Sequence, residues 1–130
     1  MPLVSVIMPT YRRDDTLKRA IRSVIGQTYK NIELIVVNDN GDDGDYSPRV
    51  REVVRSFAAH DDRVRLLEPA EHKNGAFARN RGVEASSGEL IAFLDDDDWW
   101  ELEKIEHQVA AFASLSDDWG VVSCRVKRYR

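Results

Sequence analysis

Four consecutive carboxylates, Asp95, Asp96, Asp97 and Asp98, follow directly on the apolar run Leu90 to Leu94. Like charges this close repel, so a fold that gathers them loses stability unless a cation or hydrogen-bond donors offset the repulsion. A hard divalent metal does this well. Mg²⁺ takes one or two carboxylates and completes its shell with phosphate oxygens and water, and Mn²⁺ accepts the same oxygen ligands. The run therefore suits Mn²⁺ or Mg²⁺ bridging protein to a diphosphate. The competing reading is an acidic helix start ahead of Trp99-Trp100-Glu101, where the helix dipole favours each negative charge by about 0.3–1 kcal/mol. On the run alone neither reading outweighs the other.

The elements that must position these residues are short and alternate in type. Val4 to Met8 reads as a strand stopped by Pro9. Asp14 or Asp15 then caps a helix whose apolar positions, Leu17, Ala20, Ile21, Val24 and Ile25, share one face. Gly26 closes that helix, and the β-branched run Ile32 to Val37 leads into the polar cluster Asn38 to Gly44. Ser47-Pro48 is a helix entrance, with Ser as cap and Pro at the first helical position, ahead of Val50, Val53, Val54 and Phe57. Val64 to Leu67 is a third strand, residues around Phe77 to Ser86 a weaker helix closed by Gly88, and Leu90 to Leu94 a fourth strand. A final helix carries Leu102, Ile105, Val109 and Phe112. Val122, Cys124 and Val126, alternating with polar residues, predict a fifth strand with one wet face.

Strands alternating with helices imply an α/β fold, a three-layer sandwich with a mostly parallel sheet and helices on both faces. Ligands of such sheets bind outside the carboxyl ends of the strands, where strand order reverses. That rule selects Thr10 and Arg12 after strand one, Asp39 after strand two and Asp95 to Asp98 after strand four.

The remaining composition bounds the function. The chain has 130 residues, enough for one domain with one core. Its apolar runs fall far short of the ~20 residues needed to cross a bilayer, so no transmembrane segment is expected. A net charge of −4 argues against general nucleic-acid binding. The single Cys124 cannot form an internal disulfide, and the N-terminus lacks a secretory layout, which points to the cytoplasm. His60, His72 and His107 have no metal-ligand spacing, and no Gly-rich phosphate loop is present.

Several motifs stand in one order: Val4-Ser5-Val6-Ile7-Met8-Pro9-Thr10-Tyr11-Arg12-Arg13, Gln27-Thr28-Tyr29, Val36-Val37-Asn38-Asp39, Asn74 to Gly82 with Ala78-Arg79-Asn80, and Phe93-Leu94-Asp95-Asp96-Asp97-Asp98. With them the chain resembles the family 2 glycosyltransferases of the GT-A fold over positions 3 to about 112. The resemblance implies a Rossmann-like domain over 1–130 that binds a donor nucleotide and falls short of a complete catalytic domain. It implies nucleoside contacts at Thr10 and Asp39, a strand-one loop contact at Arg12, and a nucleotide contact at Arg79. It also implies Asp95 and Asp96 beside the donor and Asp97 as the direct metal ligand, with Asp96 and Asp98 as alternatives should the register shift by one. The family commonly has two acids where this chain has Asn38-Asp39, and Gly-Ser where it has Asn40-Gly41.

The implied reaction is metal-dependent inverting transfer of a sugar from a UDP-sugar to a hydroxyl of a saccharide or lipid-linked acceptor. The general base lies beyond the metal motif in the family and is not assigned to any residue. The alternative is a nucleotide-sugar-binding module without transfer of its own. Peripheral attachment at the inner membrane face fits a lipid-linked acceptor, and the edge of a fifth strand over Val121 to Tyr129 would offer a surface for a homodimer.

Overall fold

The computed structural model describes residues 1–71, 73–116, 118 and 120–125. Four strands alternate with four helices: β1 (Val4–Thr10), α1 (Leu17–Ile25), β2 (Ile32–Asn38), α2 (Tyr46–Ala58), β3 (Val64–Leu67), α3 (Gly75–Ala85), β4 (Leu90–Phe93) and α4 (Lys104–Ser114). The strands form one parallel sheet in the order β3-β2-β1-β4. The chain thus steps outward from β1 through β2 to β3, then returns to place β4 on the other side of β1. The reversal falls between β1 and β4.

The two-residue period of the strands divides the core. Val6 and Met8 of β1 and Leu34 and Val36 of β2 face α1, α2 and Ile105 of α4, and all of these apolar side chains are buried. On the opposite face Ile7, Ile35 and Val37 meet Ala78 of α3 in a much smaller cluster. Burial of each such side chain contributes about 1.5–3 kcal/mol. The small cluster depends on close approach: a Cβ on Gly82 would collide with Ile7 and lie 3.3 Å from Val37. α3 covers β1 and β2 but leaves Ile91 and Phe93 of the β4 edge exposed.

Several boundaries differ from the sequence expectation. β1 runs through Pro9 to Thr10. The Leu90 and Leu94 N–H groups donate to the Leu3 and Ile7 carbonyls, so odd-numbered residues of β1 face β4. Pro9 therefore points its missing N–H beyond the end of β4, where no ladder bond is lost. α1 starts after Thr16, not after Asp14 or Asp15. α2 starts at Tyr46, ahead of Ser47, because the Asp43 carboxylate accepts from the Asp45 and Tyr46 N–H groups (2.9 Å each) and does the capping instead. Those two bonds hold the Asp43 carboxyl below the usual carboxylate range.

Leu102 precedes α4 and is exposed. Residues 120–125 form no strand, since apolar alternation defines a face but a strand needs a ladder partner, and β4 takes none on that side among the described residues. The remainder of the predicted fifth strand and dimer edge, 126–130, lies outside the described residues, as does His72. Among the described residues no helix is long and apolar enough to cross a membrane.

Candidate functional site

The reversal of strand order brings Thr10, at the end of β1, against the acidic run after β4. The Thr10 hydroxyl donates to Asp96 Oδ2 (2.8 Å) across 86 residues of sequence. An open cleft of about 570 Å³ lies over this junction, and Thr10, Asp39, Arg79, Asp95, Asp96 and Asp97 all line it, a volume within the range of ligand sites. Asp39 is buried there, its N–H bonded to the Thr10 carbonyl at 2.9 Å.

The four aspartates are not equivalent. Asp96 turns inward and is 5% exposed, with the Thr10 hydroxyl on one oxygen and Arg13 Nη1 3.4 Å from the other. Burial pushes its carboxyl above the usual range, against the pull of Thr10 and Arg13. Asp95, Asp97 and Asp98 turn outward, and one carboxylate oxygen of each lies within 4.8 Å of the others. Burial, then repulsion from Asp97 and Asp95, raises the Asp98 carboxyl. Three exposed hard oxygens, open to water and beside a cleft, fit a divalent cation that takes few protein ligands and completes its shell with phosphate and water.

Arginines from separate elements attend these carboxylates. Arg13 Nη1 lies 2.6 Å from Asp97 Oδ2, and Arg79 Nη2 of α3 lies 3.0 Å from Asp95 Oδ1. Arg19 of α1 donates to the Asp97 carbonyl (3.2 Å) and stacks over Trp99. The N-terminus of α3 also opens on the cleft, where Asn74 caps it by accepting from the Phe77 N–H (2.9 Å). A helix start beside two guanidinium groups favours an anionic ligand.

Of the predicted site residues, Arg12 and the alternative ligand Asp98 do not line this cleft; Asp98 lies beside it in the outward cluster, whereas Arg12 turns away. It adopts a left-handed backbone (φ 49°), its N–H donates to Asn40 Oδ1 (2.7 Å), and its side chain extends toward Asp43, 3.8 Å away. The turn at Arg12 leaves the neighbouring Arg13 facing the acidic run. Local sequence offers no means of choosing between two adjacent arginines, so Arg13 went unselected. The departures from the family pattern at Asn38 and Asn40 also serve the turn: Asn38 Oδ1 accepts from Asn40 Nδ2 (2.8 Å), and its amide donates to Ser47 Oγ (3.2 Å).

Gln27 also proves structural. Its buried amide donates to the Ser23 and Glu101 carbonyls (3.0 and 2.6 Å) and accepts from the Ile105 N–H (3.0 Å). The Thr28 N–H donates to the Leu102 carbonyl (2.9 Å), and the Tyr29 hydroxyl donates to the Pro2 carbonyl. Gln27 and Thr28 thus pin the far end of the acidic loop, and Tyr29 ties the same segment to the chain ahead of β1. A second, more apolar cleft of about 930 Å³ adjoins the first, shares Arg79 and Asp95 with it, and is lined by Trp99, Trp100, Leu102 and Lys104.

Residues 5–129 match the model of glycosyl transferase family 2. The chain belongs to that family. Among family relatives, it is 43% identical over 108 residues to the Escherichia coli UDP-Glc:alpha-D-GlcNAc-diphosphoundecaprenol beta-1,3-glucosyltransferase WfgD, covering 83% of this chain and 40% of that protein. It is 38% identical over 99 residues to the Campylobacter jejuni GalNAc(5)-diNAcBac-PP-undecaprenol beta-1,3-glucosyltransferase, covering 75% of this chain and 30% of that one. The chain therefore spans well under half the length of these curated relatives.

Solved structures place the same fold in the GT-A glycosyltransferases. A mannosyltransferase from Pyrobaculum calidifontis in complex with GDP-Man and Mn²⁺ superposes with a TM-score of 0.78 at 27% identity, over 98% of this chain and 36% of that one. Staphylococcus aureus TarS in complex with UDP-GlcNAc gives 0.69 at 22% identity, over 85% of this chain and 31% of that one, and shows the shared fold.

Proposed function

We propose that this family 2 chain is the donor-binding part of a metal-dependent inverting glycosyltransferase that moves a sugar from a UDP-sugar to a hydroxyl of a lipid-linked saccharide. The observation that carries the reading is the outward carboxylate triple Asp95, Asp97 and Asp98 beside the cleft that also holds Thr10, Asp39 and Arg79. The names of the relatives with diphosphoundecaprenol acceptors support the lipid-linked acceptor. The Mn²⁺ and GDP-Man of the Pyrobaculum enzyme support a divalent cation, and we assign Asp97 as its direct ligand from its place in the outward triple.

In this reading Asp39 accepts a ring N–H of the base, and Arg79 pairs with the diphosphate. Thr10 and Asp96 hold the end of β1 to the acidic loop, so that Asp95 and Asp97 are presented outward with little reorganisation. The acceptor enters by the second cleft, whose lining includes the exposed Trp99, an aromatic side chain of the kind that suits sugar C–H surfaces. Its hydroxyl oxygen bonds to the anomeric carbon as the carbon–oxygen bond to the diphosphate breaks on the opposite face, and the hydroxyl proton passes to a general base outside the donor-cleft assignments. The cation, when bound, neutralises charge that builds on the leaving diphosphate. An acceptor on a lipid carrier implies work at a membrane surface.

Calorimetric titration of UDP into the protein with Mn²⁺, repeated with EDTA and with Asp97→Ala, tests the donor site. Binding that EDTA and the substitution both abolish is expected, and binding indifferent to both would overturn the metal assignment. GDP in place of UDP tests the base. A second reading, a nucleotide-sugar-binding module without transfer of its own, is favoured by the donor-cleft residues, none of which is assigned as general base. Release of glucose from UDP-glucose, free or onto an acceptor, would decide for the enzyme.

A further inference from the structure

We propose that Arg13 is a positioning residue that holds the Asp97 carboxylate while no cation is present and exchanges it for the diphosphate when a divalent cation takes the cluster. The inference rests on the donor-site reading above and concerns how the two ligands come to depend on each other. Arg13 Nη1 sits 2.6 Å from Asp97 Oδ2 and 3.4 Å from Asp96 Oδ1, so one guanidinium bridges an outward and an inward carboxylate. The two partners differ in what they can give up. Asp96 is buried and bound to Thr10, and stays in place as a pivot. Asp97 is half exposed, belongs to the outward oxygen triple and can change partner.

A cation in that triple and a guanidinium on the same Asp97 carboxylate repel each other, so Arg13 and the cation compete for it. The displaced guanidinium is left in the same cleft, where a diphosphate offers the oxygens that its planar fork suits. Arg79 on Asp95 repeats the arrangement from α3. Two arginines from different elements thus screen two cation-facing carboxylates, and both line the cleft in which the diphosphate's charge would need them. The consequence is thermodynamic coupling: each ligand tightens the other, by the same factor in both directions.

The test is the sign of one change. Mn²⁺ is titrated into the nucleotide-free protein, and again with saturating UDP, for wild type and Arg13→Gln. With its competitor gone, the variant should bind Mn²⁺ alone about two- to fivefold more tightly, the range of a half-exposed ion pair. Its UDP affinity should fall, and the factor by which UDP tightens Mn²⁺ should shrink. Arg13→Lys, which keeps the charge, should retain most of the competition. Arg19→Gln removes a positive charge that hydrogen-bonds the Asp97 carbonyl and pulls on the Asp98 carboxylate from a distance, and should tighten Mn²⁺ less than Arg13→Gln does. Weaker or unchanged Mn²⁺ binding by Arg13→Gln, or an unaltered coupling factor, would overturn the exchange. Equal tightening by Arg19→Gln would reduce it to general screening and overturn it too. Wild-type protein that binds no Mn²⁺ even with UDP would instead sink the donor-site reading and the exchange with it.

Discussion

The two ends of the parallel sheet treat polar groups in opposite ways. At the amino end, Ser5 donates to Glu33 Oε1 (2.6 Å), the same oxygen accepts from the Ser87 N–H (2.7 Å), and the Gly88 N–H donates to Ser5 Oγ (2.7 Å). Arg63 is equally settled, donating to Asp61 and to the Ile25 and Lys30 carbonyls. Glu33 and Arg63 thus find their partners within the protein. At the carboxyl end, three carboxylates crowd outward, and Asp98 holds its proton to a higher pH than an isolated aspartate. The lesson is that the amino end closes its hydrogen bonds internally, whereas the open end leaves three carboxylates crowded beside a cleft, the place the donor-site proposal gives to a cation.

The largest effect should come from breaking the closed end. A Cβ on Gly88 would stand 2.7 Å from the Ser5 nitrogen and 2.8 Å from the Leu3 carbonyl oxygen, backbone atoms in β1 and just ahead of it. Gly88→Val should cost about 3 kcal/mol, read from the denaturation midpoint in urea. An unchanged midpoint would mean that the β4 entrance is looser than this geometry. Glu33→Ala comes next. It strips the acceptor from the buried Ser5 hydroxyl and the Ser87 N–H, and the expected loss is about 1–3 kcal/mol.

The smallest effect has the opposite sign. The raised Asp98 carboxyl means that, as pH climbs from the ordinary carboxylate range to its folded value, the unfolded chain loses the proton first and the folded state loses stability. At pH 7 that cost is fully present. Asp98→Asn should therefore raise the thermal midpoint slightly in metal-free buffer at pH 7 and leave it unchanged near pH 3. A lowered midpoint at pH 7 would show that the open end is not under repulsion.

Much of the fold was legible because local periodicity reports it. The β-branched run Ile32 to Val37 named β2, the run Val64 to Leu67 named β3 and the one-sided apolar spacing named α1, while α3 starts at Gly75, two residues ahead of the expected Phe77. Polar residues just past apolar runs named Thr10, Asp39 and the aspartates, since chain ends of buried strands are where polar groups reach water. The misses came from interactions between distant residues. Ser47-Pro48 looked like a cap until Asp43 took that role. Pro9 looked like a strand stop until β4 proved short enough to leave its side of the ladder open.

The sequence by itself determined the order of elements, the amphipathic faces that bury them, the family and the acidic run. These depend on residue type and spacing within a few turns of chain, or on motifs kept in linear order. Tertiary structure alone decided that β4 lies beside β1, which carries Thr10 to Asp96 and so turns one aspartate of four inward. It also decided that Arg13, and not Arg12, faces the cleft, through a single left-handed residue held by Asn40. The reason is physical: the facing of a charged side chain in a loop is set by the partners that reach it, and here those partners come from the loops after β2 and β4, distant in sequence.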